Sequence, residues 1–134
     1  MLDQDATIET ILRGMRRVAV VGISDDPSRP SNEVAAYLIR QGFKVSLVNP
    51  TLTSVFDIPC YPSLRQLPEA VEVVDVFRRS AEAGAVVDDA IACGAKAVWL
   101  QEGVVDEAAA ARAREAGLLV VMDRCMLKEH SRRA

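Results

Sequence analysis

Three times in this chain a helical stretch runs into a glycine and then, within a few residues, into an apolar run. Gly42 precedes Lys44-Val45-Ser46-Leu47-Val48, Gly94 precedes Ala97-Val98-Trp99-Leu100, and Gly117 precedes Leu118-Leu119-Val120-Val121-Met122. Glycine ends helices readily because it enters the left-handed region without a Cβ penalty. A short apolar run has the character of a strand covered on both faces. The repeated join is therefore the αβ loop of an open parallel sheet, whose right-handed crossovers leave few topologies. The sequence predicts an α/β fold: a doubly wound sheet of about five parallel strands flanked by helices, with the first strand central. No linker or internal repeat divides the 134 residues, so one domain over 1–134 is expected. Half of the residues are hydrophobic but only 4% are aromatic, which makes the core one of Val, Ala, Leu and Ile.

The remaining elements follow from periodicity. Ile8, Ile11, Leu12 and Met15 give residues 6–15 the apolar face of a short helix, with Thr7 at the capping position. Val18 to Gly22 reads as the first strand, and a helix is expected from about Ser31 to Gln41. Residues 51–59 show no period and are predicted irregular. A brief strand follows at Cys60-Tyr61-Pro62, then a helical turn over 63–67. Glu72 to Phe77 is the next strand. Ser80 is expected to cap the helix after it, and Asp106 to begin an alanine-rich one. Residues 123–134 read as a polar tail carrying a solvent-exposed His130.

Charge narrows the partners. A formal net charge of -3 supplies no basic field for nucleic acid or an anionic membrane. No apolar run approaches the ~20 residues needed to span a bilayer, and the acidic N-terminus has no signal-peptide pattern. Cys60, Cys93 and Cys125 are odd in number and widely spaced, which suits reduced thiols in a cytoplasm. The same spacing and the single histidine offer no metal site.

The chemistry concentrates after the first strand. In open α/β sheets ligands lie beyond the C-terminal strand ends, where the first helix also aims its free N–H groups. Gly22 permits a close backbone turn, Ser24, Ser31 and Asn32 offer hydrogen bonds, and Arg29 offers a fork suited to phosphate. These residues predict a site for a phosphorylated ligand, a diphosphate in particular. The competing reading is a plain βα turn with a solvated arginine. Neither G-x-G-x-x-G nor G-x-x-x-x-G-K-[ST] is present. The second strand ends Leu47-Val48-Asn49-Pro50, without the acid that holds the ribose hydroxyls of NAD. A phospho-acceptor receiver domain is disfavoured too: Asp25-Asp26 imitates its acidic pair, but the later strands lack its remaining residues.

Six stretches, in order and spanning nearly the whole chain, resemble the small stand-alone CoA-binding proteins related to the CoA-binding domain of succinyl-CoA synthetase α subunits. They are Val18 to Ser24 with Arg29-Pro30-Ser31, Gly42 to Pro50, Tyr61 to Leu64, Val74 to Arg79, Trp99 to Gly103, and Val121 to Cys125. The resemblance implies a Rossmann-like fold with coenzyme A or acyl-CoA across the C-terminal strand edge. It implies that Gly22, Ser24, Arg29 and Ser31, with Asn32 beside them, hold the diphosphate. Asn49 and Pro50 would border the nucleotide. Phe77 would contact adenine, and an arginine of the Arg78-Arg79 pair would reach a phosphate. The family usually has a glycine near Asp57; residues 54–58 read Ser-Val-Phe-Asp-Ile, so a differently shaped loop is expected there.

No nucleophile in the sequence stands beside a base, so a non-catalytic module is expected. Its partner would be the small-molecule ligand, and its state a monomer or weak homodimer. The alternative is an NAD(P)-binding enzyme or redox regulator on the same fold. Cys125, after the last strand with Arg124 beside it, is a candidate for a mixed disulfide with the thiol of CoA.

Overall fold

The structure is a computed structural model and describes residues 4–134. Seven strands form one sheet: β1 (Arg17–Val21), β2 (Lys44–Val48), β3 (Ser54–Val55), β4 (Ile58–Tyr61), β5 (Val73–Val76), β6 (Ala97–Leu100) and β7 (Leu119–Val121). Their order is β3-β4-β2-β1-β5-β6-β7, so the first strand is central as expected. Every pairing is parallel except β3 with β4. The helices are α1 (Gln4–Gly14), α2 (Pro30–Arg40), α3 (Ser80–Ala92), α4 (Glu107–Glu115) and α5 (Met126–Arg133).

The apolar strands are buried on both faces because alternate residues feed two cores. Val18 and Val20 of β1, Leu47 of β2, and Ala97 and Trp99 of β6 pack with Ile8, Ile11, Val34, Leu38 and Met126 of α1, α2 and α5. Ala19, Val21, Val74, Val76, Val98 and Leu100 pack with Ala83, Val87, Ala109 and Ala113 of α3 and α4. Each fully buried Val or Leu contributes ~1.5–3 kcal/mol. The small alanines of α3 and α4 let those helices lie close to the sheet and to each other.

Several expectations change. The sheet has seven strands rather than about five: the brief strand expected at Cys60-Tyr61-Pro62 is β4, starting two residues earlier, and the stretch predicted irregular also supplies β3, which pairs with it as a hairpin. Phe56 and Asp57 join β3 to β4, with φ of 56° and 60°. Positive φ at both central residues is the signature of a type I′ hairpin turn, for which Asn-Gly is the usual sequence. The position where the family carries glycine therefore keeps a left-handed backbone here, on an aspartate, a residue that tolerates it.

Residues 123–134 are not a tail. They contain α5, whose Met126 is fully buried and whose Glu129 is paired with Arg132 at 2.6 Å and Arg133 at 2.9 Å. His130 is half-buried rather than exposed. Its Nδ1 lies 2.7 Å from the Tyr37 hydroxyl, and its ring stands edge-on to Phe43. Finally, Thr7 and Ser80 lie inside helices rather than capping them. Asp106 does cap α4, accepting the Ala109 N–H at 2.9 Å.

The β7 margin has its own cover. The Gln4 side chain accepts the N–H of Met122 at 2.7 Å and donates to its carbonyl at 3.2 Å.

Candidate functional site

The corner after β1 exists because two strand ends come very close. Gly22 has φ of 95°, and a Cβ there would lie 2.3 Å from the Phe77 carbonyl oxygen. The Gly22 N–H is bonded to Val48 at 2.9 Å, and the Phe77 N–H to Val21 at 2.9 Å. The chain then leaves the sheet through a loop strapped to its own helix. The Ser31 hydroxyl accepts the Ser24 N–H at 3.0 Å, and the Asn32 amide donates to the Ser24 carbonyl at 2.9 Å. From β2, the Asn49 amide donates to the Ile23 carbonyl at 2.7 Å. Within the loop Asp26 accepts from the Ser28 N–H and hydroxyl, which hold its carboxyl below the usual range. Pro30 opens α2 and lacks an N–H, and the Asn32 and Glu33 N–H groups both go to the Arg29 carbonyl at 3.1 Å, so among the described residues the Ser31 N–H is the amide of this first turn left for a ligand.

A cleft of about 570 Å³ opens beside this corner. Gly22, Ser24, Arg29, Ser31, Phe77, Arg78 and Arg79 all line it. Arg29 and Arg78 make no hydrogen bond or ion pair among the described residues, though Asp26 and Glu82 respectively feel their charge. Arg79 is turned to Glu82 at 2.9 Å, in a pair exposed enough to be weak. Three expected residues stand back. Asn32 is buried and spends its amide on Ser24. Asn49 donates to Ile23 and accepts from Thr51 and Leu52, so it is an internal strap. Pro50 does not reach the cleft lining.

The opposite wall comes from Gln101, Glu102, Gly103 and Val104, with Cys125. Reading the corner alone misses these, although Trp99 to Gly103 and Val121 to Cys125 are among the stretches that carry the resemblance. Asp123, at φ of 60°, accepts the Gly103 N–H at 2.7 Å. The Ser80 hydroxyl accepts the Val105 N–H at 2.9 Å and donates to the Gly103 carbonyl at 3.3 Å. Lys128 reaches Glu102 at 3.0 Å. Trp99 donates to the Arg124 carbonyl at 2.9 Å, which sets the backbone that carries Cys125.

Behind this wall lies a fully buried carboxyl group. Asp75 sits on β5 in register with Val20 and Trp99, fully buried, and burial pushes its pKa up to about 8. The Gln101 amide donates to its Oδ1 at 2.6 Å, while Oδ2 has no partner among the described residues. Asp75 is thus a neutral acid at pH 7. Burial also raises the Cys125 thiol; the amides of Lys128 and Leu127 pull it down, and Glu102 and Asp75 push it up. His130 belongs to another cavity, of about 480 Å³, with Arg13, Arg16 and Arg133. Burial and the Arg16 charge lower its pKa.

The fold is of the Rossmann-like class: a mostly parallel sheet with a glycine corner, a helix N-terminus and one arginine-bearing cleft wall at its C-terminal edge. Residues 16–131 match the family described as CoA binding domain, and the chain belongs to that family. It is 34% identical over 126 residues to the uncharacterized protein YneT of Bacillus subtilis (strain 168), covering 94% of this chain and 93% of that one. A solved hypothetical protein from Pyrococcus horikoshii OT3 superposes with a TM-score of 0.92 at 41% identity, covering 96% of this chain and 90% of that one. The apo form of dinucleotide forming acetyl-coenzyme A synthetase 1 from Ca. Korarchaeum cryptofilum gives a TM-score of 0.75 at 27% identity, over 85% of this chain but 27% of that one.

Proposed function

We propose that this protein binds coenzyme A or an acyl-CoA in the cleft and does not transform it. The observation that carries this reading is the pair of guanidinium groups, Arg29 and Arg78, which have no ion-pair partner among the described residues and line one cleft beside the N-terminus of α2. A diphosphate needs such a setting: positive charge, free N–H groups and backbone close enough to touch. Gly22 supplies the last of these, because a side chain there would fill the approach. Arg29, Ser24 and the Ser31 N–H would hold the diphosphate, Arg78 a further phosphate, and Phe77 an apolar ring. Membership of the CoA-binding family supports the same ligand. Asn49, with both ends of its amide engaged, leaves no acceptor free for the ribose hydroxyls of NAD.

When bound, CoA would supply a thiol or thioester. The chain's own residues position and shield it; His130 is committed to Tyr37 and lines the other cavity. The three free cysteines fit a reducing cytoplasm. No helix among the described residues is long and apolar enough to cross a membrane.

Isothermal titration with CoA, 3′-dephospho-CoA, NAD and NADP tests the reading. CoA is expected to bind, and Arg29→Ala to weaken it by ~1.5–3 kcal/mol with the fold retained. NAD binding without CoA binding overturns the proposal. Unchanged affinity in Arg29→Ala would move the phosphates elsewhere.

A further inference from the structure

We infer that Cys125 is a thiol–disulfide exchange site at the floor of the cleft, forming a mixed disulfide with the sulfur of a bound CoA. This rests on the CoA reading above and adds a covalent, redox-dependent state to it.

Two observations carry the inference. Cys125 lines the same cleft as Gly22, Ser24 and Arg29, and it is half-exposed there, so a ligand anchored at the corner shares one space with the thiol. Independently, Gln101 marks that floor as built for a ligand. Its side chain is 5% exposed and lines the cleft, its amide nitrogen is held by Asp75, and its carbonyl oxygen has no partner among the described residues. A nearly buried acceptor left open to a cleft calls for a donor from the ligand, such as an amide N–H of an extended arm. Cys125 also stands at the N-cap of α5, where the amides of Leu127 and Lys128 favour the thiolate.

The reaction balances without an outside oxidant when the ligand arrives as CoA disulfide. The Cys125 thiolate attacks one sulfur of that disulfide; the S–S bond breaks, Cys125–S–S–CoA forms, and the second CoA leaves as a thiolate that takes up a proton. The burial that raises the Cys125 thiol lowers the fraction present as thiolate. It also makes Cys125 a poor leaving group, so the mixed disulfide, once formed, is slow to reverse. Docking of the nucleotide end offsets the small thiolate fraction by raising the effective concentration of the ligand's sulfur.

The experiment incubates fully reduced protein with CoA disulfide and, in parallel, with cystamine. Intact mass and peptide mapping follow without reductant, and free CoA binding is titrated on the same protein and on Cys125→Ser. The expected result is one CoA on Cys125, formed at least tenfold faster than the cystamine adduct. Arg29→Ala should slow the CoA reaction alone, Cys125→Ser should take up none at that peptide, and the exposed Cys93 should react without preference between the disulfides. CoA binding with no adduct on Cys125, or an adduct mainly on Cys93 or Cys60, overturns the inference and leaves the CoA reading standing. No CoA binding, with equal rates for both disulfides at Cys125, overturns both.

Discussion

Gly22 has no tolerant substitute. Its φ of 95° disfavours any side chain, and the atom in the way is backbone, the Phe77 carbonyl oxygen 2.3 Å from where a Cβ would lie. The Phe77 N–H is bonded to Val21 at 2.9 Å, which ties that residue to β1. Gly22→Ala should destabilise the protein by ~2–4 kcal/mol in urea unfolding and weaken CoA binding as well. A cost below ~0.5 kcal/mol would mean that the corner relaxes freely. Asp75 offers a second measurement. Its carboxyl ionises near pH 3.8 when free and at about 8 in the fold, so between these values the folded state binds the extra proton. Its contribution is therefore most favourable below pH 4 and is lost as pH rises through 8. The full loss is on the order of 5 kcal/mol. Asp75→Asn should flatten the fall in stability between pH 5 and 9, with the largest gain over the parent at the alkaline end. An unchanged slope would place the ionisation elsewhere.

The elements show where sequence reasoning succeeds and where it stops. Strands β1, β2, β5, β6 and β7 are legible because both faces are buried and their residues are almost all apolar. The end of β4 is legible as the brief strand expected at Cys60-Tyr61-Pro62, but β3 and the hairpin are not, since the turn is Phe56-Asp57 rather than a glycine-bearing pair and nothing local announces it. Replacing both, Phe56→Asn with Asp57→Gly, relieves two unfavourable left-handed residues. It should raise stability by about 1 kcal/mol in urea unfolding without altering ligand affinity. A decrease would show that exposed Phe56 packs more than its 41% exposure implies. Helix α5 is hidden for a different reason: its order comes from Glu129 meeting Arg124, Arg132 and Arg133, with few apolar residues to form a period. The i,i+4 spacing of Glu129 and Arg133 is its one readable signal.

At the scale of the whole molecule the cleft joins segments from both halves of the chain, 22–31 and 77–79 on one side, 101–104 and 125 on the other. Residues close in sequence, such as Gly22 to Ser31, group together by their spacing alone. Gln101 and Asp75 meet only through the pairing of β5 with β6, and no local pattern brings them together. Because the ligand would bridge both halves, its binding energy should appear as global stability. CoA at a hundred times its Kd should add ~2.7 kcal/mol, or about 8–11 °C in Tm by calorimetry. Binding by titration without a thermal shift would mean that the unfolded chain holds the ligand equally well.

The Gln4 bonds to Met122 have a consequence beyond packing. A parallel sheet leaves unpaired N–H and C=O groups on its last strand, and these invite another chain to add itself there. Gln4 presents the same donor and acceptor that a neighbouring strand would, at Met122, one residue past the end of β7. At the far margin β3 offers only two residues and turns back at once. A molecule guarded in this way at both margins resists growth into fibres.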